Sequence, residues 1–446
     1  MTTALAHDDT FTSAFRELTG ERRQEPPALS SARAAAFAEF ERLGFPTLND
    51  EEWKYTNLAP IARTEVVPVV HANGSPLPAN DRLKRLTYEE APTRLVFING
   101  IFRRELSATD LPEGVLMTDL SQALAEDRSS DLVRRHLERD SRNAANGFTA
   151  LNGALFADGT FVKISRNAAL SSPIHLLFLT QMTSPAPAAM PRLLVHAEAN
   201  SSATIIESYG SLSEGPYLTN TVVDLAVDDR ARLTHYRVQR ESPEGFHIAT
   251  TRATLGAQAA YDTLAINLGA ALSRHNVEVT LAQEGASCAV DGLYMVEGDQ
   301  HSDTHSLIDH QQPNCTSRQL YKGILDGRSR AVFNGKVFVR HGAQQTDAQQ
   351  TNKNLLLSAE AQIDTKPQLE IYADDVKCTH GAAVGQLEED EMFYLESRGL
   401  NPALAKNLLT YGFAEEVIAK IKIDSIKREL DEAVLNRLHA DLQIEK

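Results

Sequence analysis

The chain has 446 residues, with 44 Lys and Arg against 60 Asp and Glu, a formal charge of −16, and 42% hydrophobic residues. That apolar content can build one elongated domain or about three ordinary ones, while an acidic field without a Lys/Arg run argues against nucleic-acid binding. No stretch reaches the ~20 consecutive apolar residues of a membrane-spanning helix, and three cysteines without a CxxC pair, Cys288, Cys315 and Cys378, fit a reducing compartment rather than a disulfide framework.

In chain order, the segment from Met1 to Gln24 carries Asp8, Asp9, Glu17 and Glu21 and no apolar run, unlike a targeting peptide. A bacterial cytoplasm is therefore the expected location. Ala32 to Leu43 predicts a helix stopped by Gly44-Phe45-Pro46. Asn49-Asp-Glu-Glu52 suits a helix N-terminus and leads into the sole tryptophan, Trp53. Pro68 to Pro78 reads as loop, Leu95 to Ile101 as a strand, and Asp119 to His136 as a helix ending before the polar run Arg139 to Asn146.

From about Thr160 the texture changes to short alternating segments, such as Thr160–Ile164, Ile174–Phe178, Arg192–His196 and Asn276–Ala282. Alternation is the mark of strands with one buried face. Small residues recur at turns: Ala203, Ala231, Ala259 and Ala286 are separated by 28, 28 and 27 positions, while Ser329 and Ala361 drift off that period. A loose repeat of this kind suggests a solenoid, with an antiparallel sandwich as the other reading. Past Val384 the chain turns helical again. Glu388–Glu391 supplies an acidic first turn, Gly399 a stop, and Asn401-Pro402 an N-cap with proline at the first helical position. A long amphipathic helix is predicted from about Glu415, with Ile418, Ile426, Leu430, Val434 and Leu438 on its apolar side. Its simplest role is to cap the solenoid. The expected division is residues 1–158 as a mixed helical region, 159–383 as the β core and 384–446 as a helical domain.

Five stretches are more specific: Glu52-Trp-Lys-Tyr-Thr-Asn57, Phe333-Asn-Gly-Lys336, Gln345 to Ser358, Asp364 to Ala382, which contains Cys378-Thr-His380-Gly, and Phe393-Tyr-Leu-Glu-Ser-Arg-Gly-Leu400. There is no G-x-x-x-x-G-K-[ST] loop, G-x-S-x-G or H-E-x-x-H, so nucleotide hydrolysis would come from another chain. Together these stretches resemble the SufB/SufD family of iron–sulfur cluster assembly proteins, chiefly over residues 285–400 and 49–58. The Cys-Thr-His-Gly version is similar to the SufD branch; SufB proteins typically have a His-Glu pair there. The resemblance implies a right-handed parallel β-helix flanked by an N-terminal α/β region and C-terminal helices. It implies a non-catalytic scaffold of a SufBCD complex that pairs with a SufB-like subunit through the β-helices. It also implies a SufC-like ATPase on the C-terminal helices and no permanent cofactor, only iron or a nascent cluster held transiently and shared with the partner; obligate pairing and a homodimer in isolation both stay open.

Cys378 and His380 are two apart, so on a strand both side chains leave one face. Thiolate and imidazole suit iron or an iron–sulfur unit, and two ligands leave the rest of the shell to another chain. The bland alternative is a small buried cysteine beside a turn histidine. His301, Asp303 and His305 also share a strand face and are metal-like in type, with a polar ladder as the alternative. Cys288 and Cys315 are read as structural. A different class of function, a polysaccharide-active β-helix enzyme, would recruit carboxylates such as Asp374 and Asp375, or Asp303 with Asp309.

Overall fold

The computed structural model describes residues 8–21, 25–71, 83–108, 110–125, 129–142 and 144–439. Its strands are β1 Val66–Pro68, β2 Thr93–Ile98, β3 Ile101–Phe102, β4 Val115–Asp119, β5 Gly159–Ile164, β6 Ile174–Thr180, β7 Ala186–Ala189, β8 Arg192–Ala197, β9 Ser202–Ser211 and β10 Leu218–Val227. They continue as β11 Arg232–Arg240, β12 Phe246–Leu255, β13 Ala260–Asn267, β14 Leu272–Leu281, β15 Ser287–Val296, β16 His301–His310, β17 Thr316–Leu325, β18 Arg330–Val339, β19 Thr346–Leu356, β20 Gln362–Ile371 and β21 Val376–Gly385. From β8 onward the chain alternates between two sheets. One runs β20-β18-β16-β14-β12-β10-β8-β5-β4 and the other β21-β19-β17-β15-β13-β11-β9-β6-β2-β3. Successive neighbours pair in parallel, which defines a parallel β-solenoid of about eight turns.

Parallel sheets need cover on both faces, and three apolar clusters supply it. Inside the solenoid, alternate residues of both sheets stack into one core that includes Val223, Leu225, Val277, Val279, Val290, Phe333 and Val337. Helices α1 Asp8–Glu21 and α2 Pro27–Leu43, the short α3 Ala59–Arg63, then α4 Leu120–Ala125, α5 Ser130–Arg142 and α6 Gly147–Leu155 belong to the N-terminal region. Phe40, Trp53 and Phe148 of this region pack on Leu218, Phe246, Ile248 and Leu272, on the outer face of the first sheet. The outer face of the second sheet is covered by α8 Pro402–Ile418 and α9 Asp424–His439, whose Val417, Ile418, Ile426, Leu430 and Val434 meet Val238, Ile266, Leu293 and Ile324. No described helix is long and apolar enough to cross a membrane.

One corner of the solenoid explains the period in the sequence. Asn200, Arg230, Gln258, Gly285, Asn314 and Gln345 all have φ between 55° and 70°. Each precedes a buried small residue: Ser201, Ala231, Ala259, Ala286, Cys315 and Thr346. Their backbone N–H groups donate to the next coil, as in Arg230 to Ala257 O and Gln258 to Glu284 O. The left-handed turn bends the chain sharply and leaves room for only a small side chain inside. Ala203 is not in this column, since Ser202 pairs with Arg232 and the corner is Ser201. Ser329 and Ala361 precede strands of the other sheet, so they mark the opposite corner.

Three expectations are corrected. The Asp119–His136 helix is two helices, and the second runs on to Arg142. The helix predicted from Glu415 is broken at 419–423, where Ile421 and Ile423 turn in to the core and Lys420 reaches Asp291 at 2.7 Å. The terminal helices lie along the side of the solenoid and do not cap its end. Residues 72–78 of the predicted loop and the side chain of Leu438 lie outside the described residues.

Candidate functional site

The two ends of the solenoid differ. At the start, the β2–β3 hairpin and antiparallel β4 close the sheets. At the finish, β20 and β21 each have a neighbour on one side only among the described residues, so a row of ladder donors and acceptors is left open to pairing. Ile371, Tyr372 and Val384 are exposed there.

Cys378 and His380 lie on β21. Cys378 pairs in register with Ala348 and His380 with Gln350. The alternation places Ala348, Gln350 and Asn352 inside the solenoid, where all are buried, and Cys378 packs half-buried against that core. His380 is on the same side of the strand, at the mouth of the lumen and exposed. Burial raises the Cys378 thiol above its usual value, with a backbone hydrogen bond from Ala348 opposing, so ligation at this sulfur would have to displace a proton. As donors the pair suits iron or sulfide-bridged iron in type and is incomplete in number. Cys288 and Cys315 are buried free thiols, both raised by burial, and Cys315 is one of the small corner residues.

His301, Asp303 and His305 point outward from β16 and meet the Glu52–Thr56 segment. Thr56 donates to Asp303 Oδ2 at 2.5 Å and lies 3.0 Å from His301 Nε2. The Arg274 guanidinium contacts Asp303 Oδ2 at 2.7 Å, donates to the Glu52 carbonyl at 2.7 Å, and lies 3.8 Å from the Trp53 ring centre. His305 bridges Glu52 and Asp303, both at 3.1 Å. Against the cost of burial, Arg274 and His305 hold the Asp303 carboxyl well below the usual carboxylate range. Burial lowers His305, but Asp303 outweighs it and the net shift is upward. This polar ladder clasps the N-terminal region to the solenoid and accounts for the Glu52-Trp-Lys-Tyr-Thr-Asn motif. Glu51 extends it to Lys366 of β20 at 3.0 Å. Asp309 is bound by both arms of Arg340, at 3.0 and 2.9 Å.

Residue patterns alone missed a buried polar network in the lumen. Glu207 accepts from Tyr209 at 2.5 Å and faces His235 at 2.9 Å, Arg237 donates to Asn267 at 2.9 Å and contacts His247, and His247 meets Glu241 at 2.5 Å. The signal was there: Glu207-x-Tyr209 and His235-x-Arg237-x-Gln239 place polar groups at alternate positions of strands buried on both faces. Among the described residues, one group of three metal-type side chains converges, Glu17, Glu21 and His71. There the two imidazole nitrogens face separate glutamates at 3.3 and 3.2 Å, an arrangement of ion-pair type.

The fold and this end define the chain as a helix-flanked parallel β-solenoid with an open terminal coil bearing a thiol and an imidazole. Residues 178–413 match the family model described as the SUF system FeS cluster assembly, SufBD core domain, and residues 6–176 match the SufBD protein N-terminal region. An iron–sulfur cluster assembly SufBD family protein of Synechocystis is 40% identical over 94% of each chain. The SufD proteins of Escherichia coli (32% identical, 89% of this chain and 90% of that one) and Bacillus subtilis (26%, 96% and 97%) are also similar. The chain belongs to the SufB/SufD family of iron–sulfur cluster assembly proteins, and its role lies in iron–sulfur cluster assembly.

Proposed function

We propose that this chain is a SufD-type scaffold: it performs no chemistry alone, pairs through its open coil with a SufB-like subunit, and lends His380, with Cys378 as a weaker second donor, to iron or a nascent cluster at the seam. The observation that carries this reading is the uncapped final coil with both side chains at its mouth. Unpaired strand edges favour pairing with another strand edge, and exposed Ile371, Tyr372 and Val384 add apolar surface for a partner to bury. A second copy of the chain offers the same edge, so a homodimer formed without the partner would use it. Two donors per chain suit a transient cargo, because a completed shell would hold the cluster permanently.

A SufC-like ATPase is proposed to dock on the C-terminal helices. Helix α7 Glu389–Ser397 buries none of its residues, and Phe393, Tyr394, Leu404 and Leu408 are exposed. Movement of such partners would be transmitted through α8 and α9, which lie on the sheet that ends in β21. The test is His380→Ala, expressed with SufB-like and SufC-like partners and assayed for co-purification and for cluster transfer to an apo-acceptor. The expected result is a folded, assembled complex that fails to mature clusters. Normal maturation would remove His380 from the mechanism.

A further inference from the structure

Behind His380 the lumen holds a short line of neutral polar side chains. Gln350 is buried, and its Nε2 donates to Gln319 Oε1 at 2.7 Å. The Ser306 hydroxyl donates to the same oxygen at 3.2 Å. The Gln350 amide is thus tethered at its nitrogen, while its Oε1 is buried and has no hydrogen-bond partner among the described residues. A buried acceptor left unmade costs about 1–3 kcal/mol, so the arrangement needs a reason. Space for it is provided deliberately: a Cβ on Gly335 would lie 2.5 Å from Gln350 Nε2, so the glycine of Phe333-Asn-Gly-Lys336 is what lets this amide cross the lumen. The next inward residue toward the mouth is His380, the register partner of Gln350 on the adjoining strand, with about 4.8 Å between strands.

We infer that Gln350 is a positioning residue for His380: its carbonyl oxygen accepts the N–H of one imidazole nitrogen and so holds the other, unprotonated, toward the open seam. Histidine ligands to metals commonly donate their second N–H to a carbonyl or carboxylate, which fixes the tautomer and ring orientation. Gln319 and Ser306 act one step further back by fixing the Gln350 amide. The inference rests on the proposed ligand role of His380, but its primary readout does not.

The test uses the full chain labelled with 15N-histidine, with His380 resonances assigned by their loss in His380→Ala. In the native protein His380 should show one dominant tautomer. Gln350→Met, which keeps the volume and removes the acceptor, should give a mixture of tautomers, whereas Gln350→Glu should retain a single one. Gln319→Met leaves Gln350 in place without its anchor and should move the spectrum in the same direction to a smaller extent, which keeps the test open if Gln350→Met folds poorly. Cluster maturation by the assembled complex should fall about 10–100-fold in Gln350→Met and recover in Gln350→Glu. Unchanged His380 signals in both methionine variants would overturn the inference. A tautomer shift together with normal maturation in His380→Ala would instead uphold the positioning contact and sink the ligand role.

Discussion

His310 shows how burial of one side chain writes itself into the pH response. It faces inward on β16, fully buried, with Nε2 2.9 Å from the Ser317 hydroxyl, and burial lowers it to about 4 although Asp309 opposes the shift. A histidine near 6.5 in the unfolded chain and near 4 in the fold takes up its proton first in the unfolded state. Stability is therefore complete above pH 6.5, falls as pH drops from 6.5 to 4, and levels off below, a loss of about 3 kcal/mol from this residue. His175 and His275 are depressed in the same direction by burial and share that limb. In chemical denaturation at several pH values, His310→Gln should flatten the limb by about that amount; an unchanged slope would show that His310 does not titrate there. Asp303 adds a second acid-side loss at lower pH, because its depressed carboxyl stabilises the fold above about pH 4 and less below.

At the scale of the element, a strand of this solenoid is defined by what its neighbours one coil away leave open. Gly292 on β15 sits against the Tyr321 ring, Gly323 on β17 against Tyr294, and Gly335 on β18 against the Gln350 amide and the Phe333 ring. All three are inward positions: Gly292 and Gly323 each complement a tyrosine on the neighbouring coil, whereas Gly335 makes room for Gln350 across the lumen. Gly292→Ala would push a methyl group into Tyr321, deep in a core packed on every side. The expected cost is about 1–3 kcal/mol, read as a lowered midpoint in denaturant. Gly298→Ala, a turn position with open space around it and φ of 58°, would act through backbone strain alone and tests the two effects separately. Wild-type stability in Gly292→Ala would mean that the ring can move aside.

At the scale of the whole molecule, the solenoid spends its two outer faces on its own helices and leaves one end and one helix surface uncovered. The helix surface is formed by Phe393, Tyr394, Leu404 and Leu408, of which Phe393 is 71% exposed. Because these side chains bury little within the chain, Phe393→Ala with Leu408→Ala should change stability by less than about 0.5 kcal/mol each. Capture of a SufC-like ATPase should fall at least tenfold. Undiminished capture would relocate the ATPase contact. The apolar stripe of α9 behaves differently, since Ile426, Leu430 and Val434 are buried on the second sheet and their loss would unfold the region.

Much of this architecture was legible in the residues, and the limits are physical. Alternation revealed strands, and the spacing of Ala231, Ala259 and Ala286 revealed coils, because one corner admits only small side chains after a left-handed turn. Ser329 and Ala361 fall off the period because the sequence interleaves two corners that lie on opposite sides of the lumen. Cys378 and His380 were legible as one face of a strand, since a two-residue step fixes the side in any sheet. That His301, Asp303 and His305 clasp Glu52 and Thr56, nearly 250 residues away, that the last helices lie along a side and leave an end open, and that Gln350 stands behind His380 were decided by tertiary structure alone. Local spacing sets which way a side chain points; only the winding of the whole chain determines what it meets there.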